Sequence, residues 1–439
     1  MEHIEQIKHL HEIFISSGKV STDSRNIIPG SLFFALKGES FDGNDFAAQA
    51  IESGAQYAVV DNPSVCKSNR FFLVDNVLET LQELAAYHRE HFKIPVIALT
   101  GSNGKTTTKE LITKVLSIKY RVLSTSGNLN NHIGVPLTLL NLDNSIEAAV
   151  IEMGASGPGE IARLSYIAKP TIGLITNVGK AHLLGFGSLE GVKRAKGELY
   201  DYMEQSGGKV LYNSDNEHLR EMVSKHPDIS AIPYGKTQSG AVTGRITPQQ
   251  PCLSLTLNTG EVVSTNLIGA YNADNVLAAL AAGSILECNR ELSIKAIESY
   301  TPTNNRSQLL KGANNTLIVD AYNANPTSMK AALENFSQME ALSKGVVIGD
   351  MLELGDESEK EHRIILDIVS NMSLDHIFIV GNEFAKAAQG DPFYAQNGFF
   401  APTSDILKEY LNNRKPTGTT ILIKGSRGMR LEKVLDLLS

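Results

Sequence analysis

At 439 residues the chain exceeds one ordinary hydrophobic core, so two to four domains are expected. A net charge of −8 with no long basic run excludes nucleic acid as the main partner. Three scattered cysteines (Cys66, Cys252, Cys288) exclude a disulfide framework. With no leader-like N-terminus and no apolar stretch of membrane-spanning length, they point to a cytoplasmic protein.

Residues 1–93 read as a first α/β unit. Short strand-like runs at 32–36, 57–60 and 71–74 alternate with a helical segment near 45–53. Arg25 and Lys37, beside turns, have the chemistry to grip a diphosphate, and Gly43 would let backbone approach a ligand closely. Taken alone, solvated charges beside turns are the simpler explanation of the same residues.

The second unit opens with the most informative stretch. Ile94–Thr100 is a buried parallel strand by composition. It breaks at Gly101-Ser102-Asn103-Gly104 and resumes as Lys105-Thr106-Thr107, followed by Leu111, Ile112, Val115 and Leu116 at helical spacing. A glycine turn between strand and helix presents free N–H groups and a helix dipole to phosphate; Lys105 adds charge for the β/γ-phosphates and Thr106 a hydroxyl for Mg²⁺. Only two residues separate the glycines, where the long form of this loop has four.

Two further apolar runs are 148–154, which carries Glu152 near its end, and 171–176, which precedes His182. Both residues are therefore expected past the C-terminal ends of strands, the ligand-binding edge of open α/β sheets. With Thr106 they make a hard-cation site beside the phosphates. The Asn/Gly-rich stretch 127–136, which contains Asn131, is an ordered loop and either a ligand wall or a structured connection. A helix is predicted over 189–203; within it Lys196 reads as an ordinary solvated lysine. Strands around a turn at 258–260 and an Ala/Leu-rich helix opening near Asn275 complete the unit.

From about 306 strand and helix alternate again, with strands predicted at 316–319, 346–348, 376–380 and 420–423. Polar clusters follow three of them: Asp320–Pro326, Gly349–Gly355 and Lys424–Gly428. Three such clusters on one sheet edge predict a second ligand-facing rim.

Thr100–Thr107 resembles the short ATP loop of the Mur ligase family. Asp320–Pro326 together with Gly349–Gly355 is similar to the members that add D-alanyl-D-alanine. The resemblance implies three α/β domains: an N-terminal UDP-binding domain (1–93), a central P-loop ATPase domain with a parallel sheet (94–305), and a C-terminal Rossmann-like domain that binds the incoming dipeptide (306–439). It implies a cytoplasmic, monomeric ATP-dependent amide ligase of peptidoglycan precursor synthesis, acting on UDP-N-acetylmuramoyl-tripeptide and D-alanyl-D-alanine.

By the same resemblance Ser24, Arg25, Lys37, Asp42 and Gly43 contact the uridine diphosphate part, with Asn131 and Asn325 completing the substrate site. Gly101, Asn103, Gly104, Lys105, Thr106, Thr107, Asn275, Arg306, Asp320 and Asn323 bind ATP. Lys105, Glu152, His182, Lys196 and Arg306 are the catalytic set. Two Mg²⁺ sites draw on Thr106, Glu152, His182 and Lys196, the last as a CO₂-derived carbamate. Two departures from the family pattern stand out: Asn305 precedes the arginine where glycine is usual, and Asn44 follows Asp42-Gly43 where histidine is frequent. The ligase adding the third stem residue, a folate polyglutamate ligase and a P-loop switch are the rival readings. A DNPR-like Asp61-Asn62-Pro63-Ser64 occurs only in the first unit, and a switch has no use for Glu152, His182 and Lys196 together.

Overall fold

A computed structural model describes residues 2–237, 240–247, 251–303 and 305–439. Its strands form three separate sheets, one for each predicted unit. The first is parallel, in the order Val20–Ser21, Leu32–Phe34, Tyr57–Val60 and Phe71–Leu73. Successive side chains of a strand point to opposite faces, so Phe33 and Ala58 pack with Ala47 and Ala50, while Phe34 and Val59 face Leu10, Phe14 and Leu81. The latter come from helices Glu2–Ser17 and Val77–Glu90, which the strand-centred reading passed over although Ile7, Leu10 and Phe14 carry helical spacing. Helix Val77–Glu90 also packs on helices Gly134–Leu139 and Glu160–Ala168 of the second unit. There its buried Arg89 donates to the carbonyls of Ala168 (3.2 Å) and Lys169 (3.2 Å).

The central sheet has nine strands among the described residues. Seven are parallel. In spatial order they are Val122–Ser124, Ala148–Glu152, Val96–Thr100, Ile172–Ile175, Lys209–Asn213, Ser230–Gly235 and Val242–Thr247. The predicted hairpin, observed as Cys252–Leu257 and Val262–Ile268, continues this sheet as an antiparallel edge. The parallel sheet expected from the sequence is thus mixed at one border, because a short hairpin turn can only return its strand antiparallel. The strand before the glycine loop lies between Ala148–Glu152 and Ile172–Ile175. Three neighbouring C-terminal ends therefore open on one crevice.

The third sheet has Gln308–Lys311 antiparallel at its edge, then Thr316–Asp320, Thr420–Lys424, Lys344–Gly349, His376–Val380 and Gly398–Ala401 in parallel. Its first three parallel strands are those that end in the three polar clusters, so the predicted second rim exists. The DNPR-like segment is local capping: Asn62 Oδ1 accepts the Ser64 N–H at 3.0 Å at the start of a short turn over Pro63–Val65.

Candidate functional site

The glycine loop has the geometry its sequence demands. Gly101 sits at φ +144°, and a Cβ there would fall 2.0 Å from Thr176 Oγ1; Gly104, at φ +78°, starts helix Lys105–Leu116. The loop is clamped to the segment after the neighbouring strand. Ser102 N–H donates to the Asn177 carbonyl and Asn103 N–H to Asn177 Oδ1, each at 3.0 Å. Lys105 Nζ donates to the Gly101 carbonyl at 2.6 Å. Its pKa is lowered, chiefly by burial, with nearby Arg306 acting in the same direction.

Glu152 ends its strand almost fully buried. Its Oε1 accepts Asn130 Nδ2 at 2.8 Å and the Thr106 hydroxyl at 3.2 Å, whereas Oε2 is buried without a partner. A buried carboxylate oxygen with no donor is costly, and a cation would satisfy it. His182 occupies left-handed backbone (φ 51°) and its Nδ1 is hydrogen-bonded to Glu353 of the third unit, which directs Nε2 elsewhere. Burial lowers its pKa, with Glu353 opposing. Lys196 is 1% exposed, and its Nζ is 5.3 Å from the centre of the Phe186 ring. Burial first and Lys105 second push its pKa down to about 7. The expectation of a solvated helical lysine is corrected here: Lys196 lies on the inner face of helix Leu189–Ser206, where no water stabilises its charge. Among the described residues no group of three or more His, Cys, Asp or Glu side chains is poised to hold a metal, so the available donor set is hydroxyl, carboxylate and imidazole.

The third unit closes the crevice. Asn325 caps helix Pro326–Ser337 through Oδ1 and reaches across with Nδ2 to Asn103 Oδ1 at 2.8 Å. Asn275 Oδ1 accepts the Thr108 hydroxyl at 3.0 Å, which fixes the amide beside Gly104. Asp320 accepts Lys424 Nζ at 2.5 Å and the Ser307 N–H at 3.3 Å. Arg306 lies with its guanidinium carbon 3.6 Å from the Tyr322 ring centre and its Nε buried without a partner. Asn305 (φ 56°) and Ser307 (φ 46°) flank it in left-handed backbone. Asparagine tolerates that region better than most residues, which explains how Asn305 can stand where glycine is usual.

Together these groups wall a cavity of about 620 Å³. Of the residues singled out in the sequence, Asn103, Gly104, Lys105, Thr106, Thr107, Asn131, Glu152, His182, Asn275, Arg306, Asp320, Asn323 and Asn325 face it. Gly101, at the base of the loop, and Lys196 are not in the lining.

Ser24, Arg25, Lys37, Asp42 and Gly43 stay in the first unit, outside this cavity. Arg25, with its side chain 88% exposed, pairs with Asp23 at 2.8 Å; Lys37 pairs with Asp61 at 3.1 Å. A Cβ at Gly43 would fall 2.4 Å from the Leu36 carbonyl oxygen, so the close approach this glycine permits is to its own chain. Asn44 turns inward, donating to Asp42 Oδ1 and Asp61 Oδ1 and accepting the Asp61 N–H.

Sequence reasoning gave no role to Lys424, Glu353, Asn130 or Tyr322. Lys424, Glu353 and Tyr322 lie in polar clusters after strands and Asn130 in the Asn/Gly-rich stretch 127–136, so position in those marked segments was the available signal.

The chain is similar to known proteins along most of its length. Three family models match: "Mur ligase family, catalytic domain" over residues 18–94, "Mur ligase middle domain" over 99–283 and "Mur ligase, glutamate ligase domain" over 305–427. The UDP-N-acetylmuramoyl-tripeptide–D-alanyl-D-alanine ligase of Bacillus subtilis is 36% identical, over 95% of this chain and 93% of its own length. That of Escherichia coli is 34% identical, over 97% and 94%. A crystal structure of MurF from Acinetobacter baumannii superposes with a TM-score of 0.86 at 34% identity, covering 95% of this chain and 92% of its own. MurF from Thermotoga maritima in complex with ADP gives 0.84 at 27% identity, covering 96% and 97%.

Proposed function

The chain belongs to the Mur ligase family, and we infer from its site that it joins D-alanyl-D-alanine to UDP-N-acetylmuramoyl-tripeptide at the expense of ATP. The observation that carries this reading is the convergence of Lys105, Arg306 and the half-satisfied Glu152 on one cavity between two sheet rims. The tripeptide carboxylate attacks the γ-phosphorus of ATP, giving an acyl phosphate and ADP. The amine of the dipeptide then adds to the acyl carbon, and the tetrahedral species expels phosphate and leaves the amide.

Both reactants of the first step are anions. At about 4 Å and an effective dielectric near 20, each pair of unit charges repels by about 4 kcal/mol. Positioning alone does not remove that barrier, so fixed cations must flank the phosphoryl group. Lys105, on the glycine loop, serves the β/γ-phosphates. Arg306, fixed over Tyr322, serves the transferring group from the opposite wall. Asn275, Asp320 and Asn323 hold the nucleotide. The first unit (1–93) takes the uridine diphosphate part, through Ser24, Arg25, Lys37 and Asp42, and the third (306–439) takes the dipeptide. We assign the protein to the cytoplasm; no helix among the described residues is long and apolar enough to cross a membrane.

The residues present also fit Mg²⁺. The unpartnered Glu152 Oε2, the Thr106 hydroxyl and the His182 imidazole would hold it, and it would supply positive charge at the phosphates. Lys196, with a pKa near 7, has neutral amine available to take up CO₂, and the resulting carbamate would turn a repelling cation into an oxygen ligand.

Phosphate release from ATP should require both the UDP-muramoyl-tripeptide and D-alanyl-D-alanine. Release with glutamate and a folate acceptor, or without any acceptor, overturns the assignment.

A further inference from the structure

A second recess of about 360 Å³ adjoins the reaction cavity and shares Thr106, Asn128, Arg306 and Tyr322 with it. Arg427 lines only this recess. Its guanidinium carbon is 4.9 Å from the centre of the Tyr322 ring, the same ring that carries Arg306 at 3.6 Å. Two guanidiniums on one tyrosine repel each other; Arg306 keeps a buried Nε without a partner, and Arg427 is exposed. Neither pairs with a carboxylate among the described residues. Glu110 and Glu432 border the recess, but Glu110 accepts the Tyr300 hydroxyl and Glu432 is exposed. Two unpaired cations beside one recess, one of them with a buried donor, suit an anionic ligand.

We propose that Arg427, braced by Tyr322, binds the terminal carboxylate of the incoming dipeptide. This rests on the ligase reading above, which places the γ-phosphate at Arg306. The two guanidinium carbons cannot be farther apart than the sum of their distances to the shared ring centre, about 8.5 Å. An extended dipeptide spans about 7 Å, at about 3.3–3.6 Å per residue, whereas a single amino acid spans half of that. Within that bound a dipeptide with its carboxylate on Arg427 can place its amine at the acyl phosphate beside Arg306. Arg427 is a specificity residue in that it selects the carboxylate end of the dipeptide. The contact is charge-assisted and bidentate, which a guanidinium makes and an ammonium does not.

The test compares D-alanyl-D-alanine with D-alanyl-D-alaninamide, which lacks the carboxylate, by phosphate release from the full chain. With the wild type, the amide should show a KM about 10–100-fold higher. Arg427→Ala should raise the KM for the dipeptide by a similar factor and abolish the discrimination between dipeptide and amide. The KM values for ATP and for the UDP-tripeptide should not change. Arg427→Lys should fall between. Persistent discrimination in Arg427→Ala would mean that another group holds the carboxylate, and a raised KM for ATP alone would make Arg427 a nucleotide contact; either overturns the proposal. Equal KM values for dipeptide and amide in the wild type also overturn it, without any variant having to fold. Absence of dipeptide-dependent release from the wild type would instead refute the ligase reading itself.

Discussion

In the first unit Arg25 lies 88% exposed against Asp23, and Lys37 bridges toward Asp42 and Asp61. At the seam of the second and third units Lys105 is enclosed, Arg306 keeps a buried Nε without a partner and Glu152 keeps a buried oxygen without a donor. Both regions were marked in the sequence by basic residues beside glycine turns. Only in the second does the fold withhold the partners. A paired, solvated charge says little about a ligand, because water and its neighbour already satisfy it. A buried group left unsatisfied costs stability and persists where a ligand supplies what is missing. The same contrast separates Gly43, whose missing Cβ makes room for the Leu36 carbonyl of its own chain, from Gly104, whose left-handed turn exposes a helix start.

Several substitutions test this contrast, beginning with the largest effect. Lys105→Ala should lower kcat/KM by about 10²–10³-fold or more, the usual loss when a charge-stabilising donor is removed from a water-excluded site. Steady-state phosphate release reads it, and a loss below tenfold would mean that the enclosed lysine is not aimed at the reacting group. Next, Glu353→Ala frees His182 Nδ1 and should raise the Mg²⁺ concentration for half-maximal rate by about 10–100-fold, as loss of a partner behind a metal-binding histidine does. An unchanged Mg²⁺ dependence would reduce the contact to a structural one.

Lys196 makes a prediction of known sign. Its pKa is about 7 in the folded chain against 10.5 for the free side chain. Between these values the unfolded chain binds the extra proton, so stability rises with pH across that window. The burial penalty is complete below about pH 7 and gone above about 10.5. Denaturant titrations in CO₂-free buffer should show this rise, and Lys196→Met should flatten it while raising stability at the acid end. An identical slope in the variant would mean that the lysine is not held in a charge-disfavouring site. Lys196→Ala should lose most activity and regain part of it with short carboxylates if a carbamate is used. At the other extreme, Arg25→Ala should leave thermal stability unchanged and raise only the KM for the UDP-substrate severalfold. A drop in melting temperature would place Arg25 in the folding of the first unit instead.

Much of this was legible in the chain. The loop at 101–107, the strand ends bearing Glu152, Asp320 and Lys424, and the helix after Lys105 follow from apolar runs, glycine spacing and helical periodicity. These are properties of ten to twenty consecutive residues. Helices Glu2–Ser17 and Val77–Glu90 were also written there, in Ile7, Leu10 and Phe14 and in Leu81, Leu84 and Ala85, yet frequent charges between the apolar positions obscured them. The antiparallel border of the central sheet was not legible, since a hairpin's sequence does not say which sheet it joins.

By itself the sequence determined the elements, their order and the phosphate-binding turn, because backbone propensity and burial period act locally. Only the tertiary structure decided which charges would be left without partners. Asn325 meets Asn103 across 222 residues, and Glu353 meets His182 across 171. The pairing and desolvation of a charge depend on such distant neighbours, which no local pattern encodes.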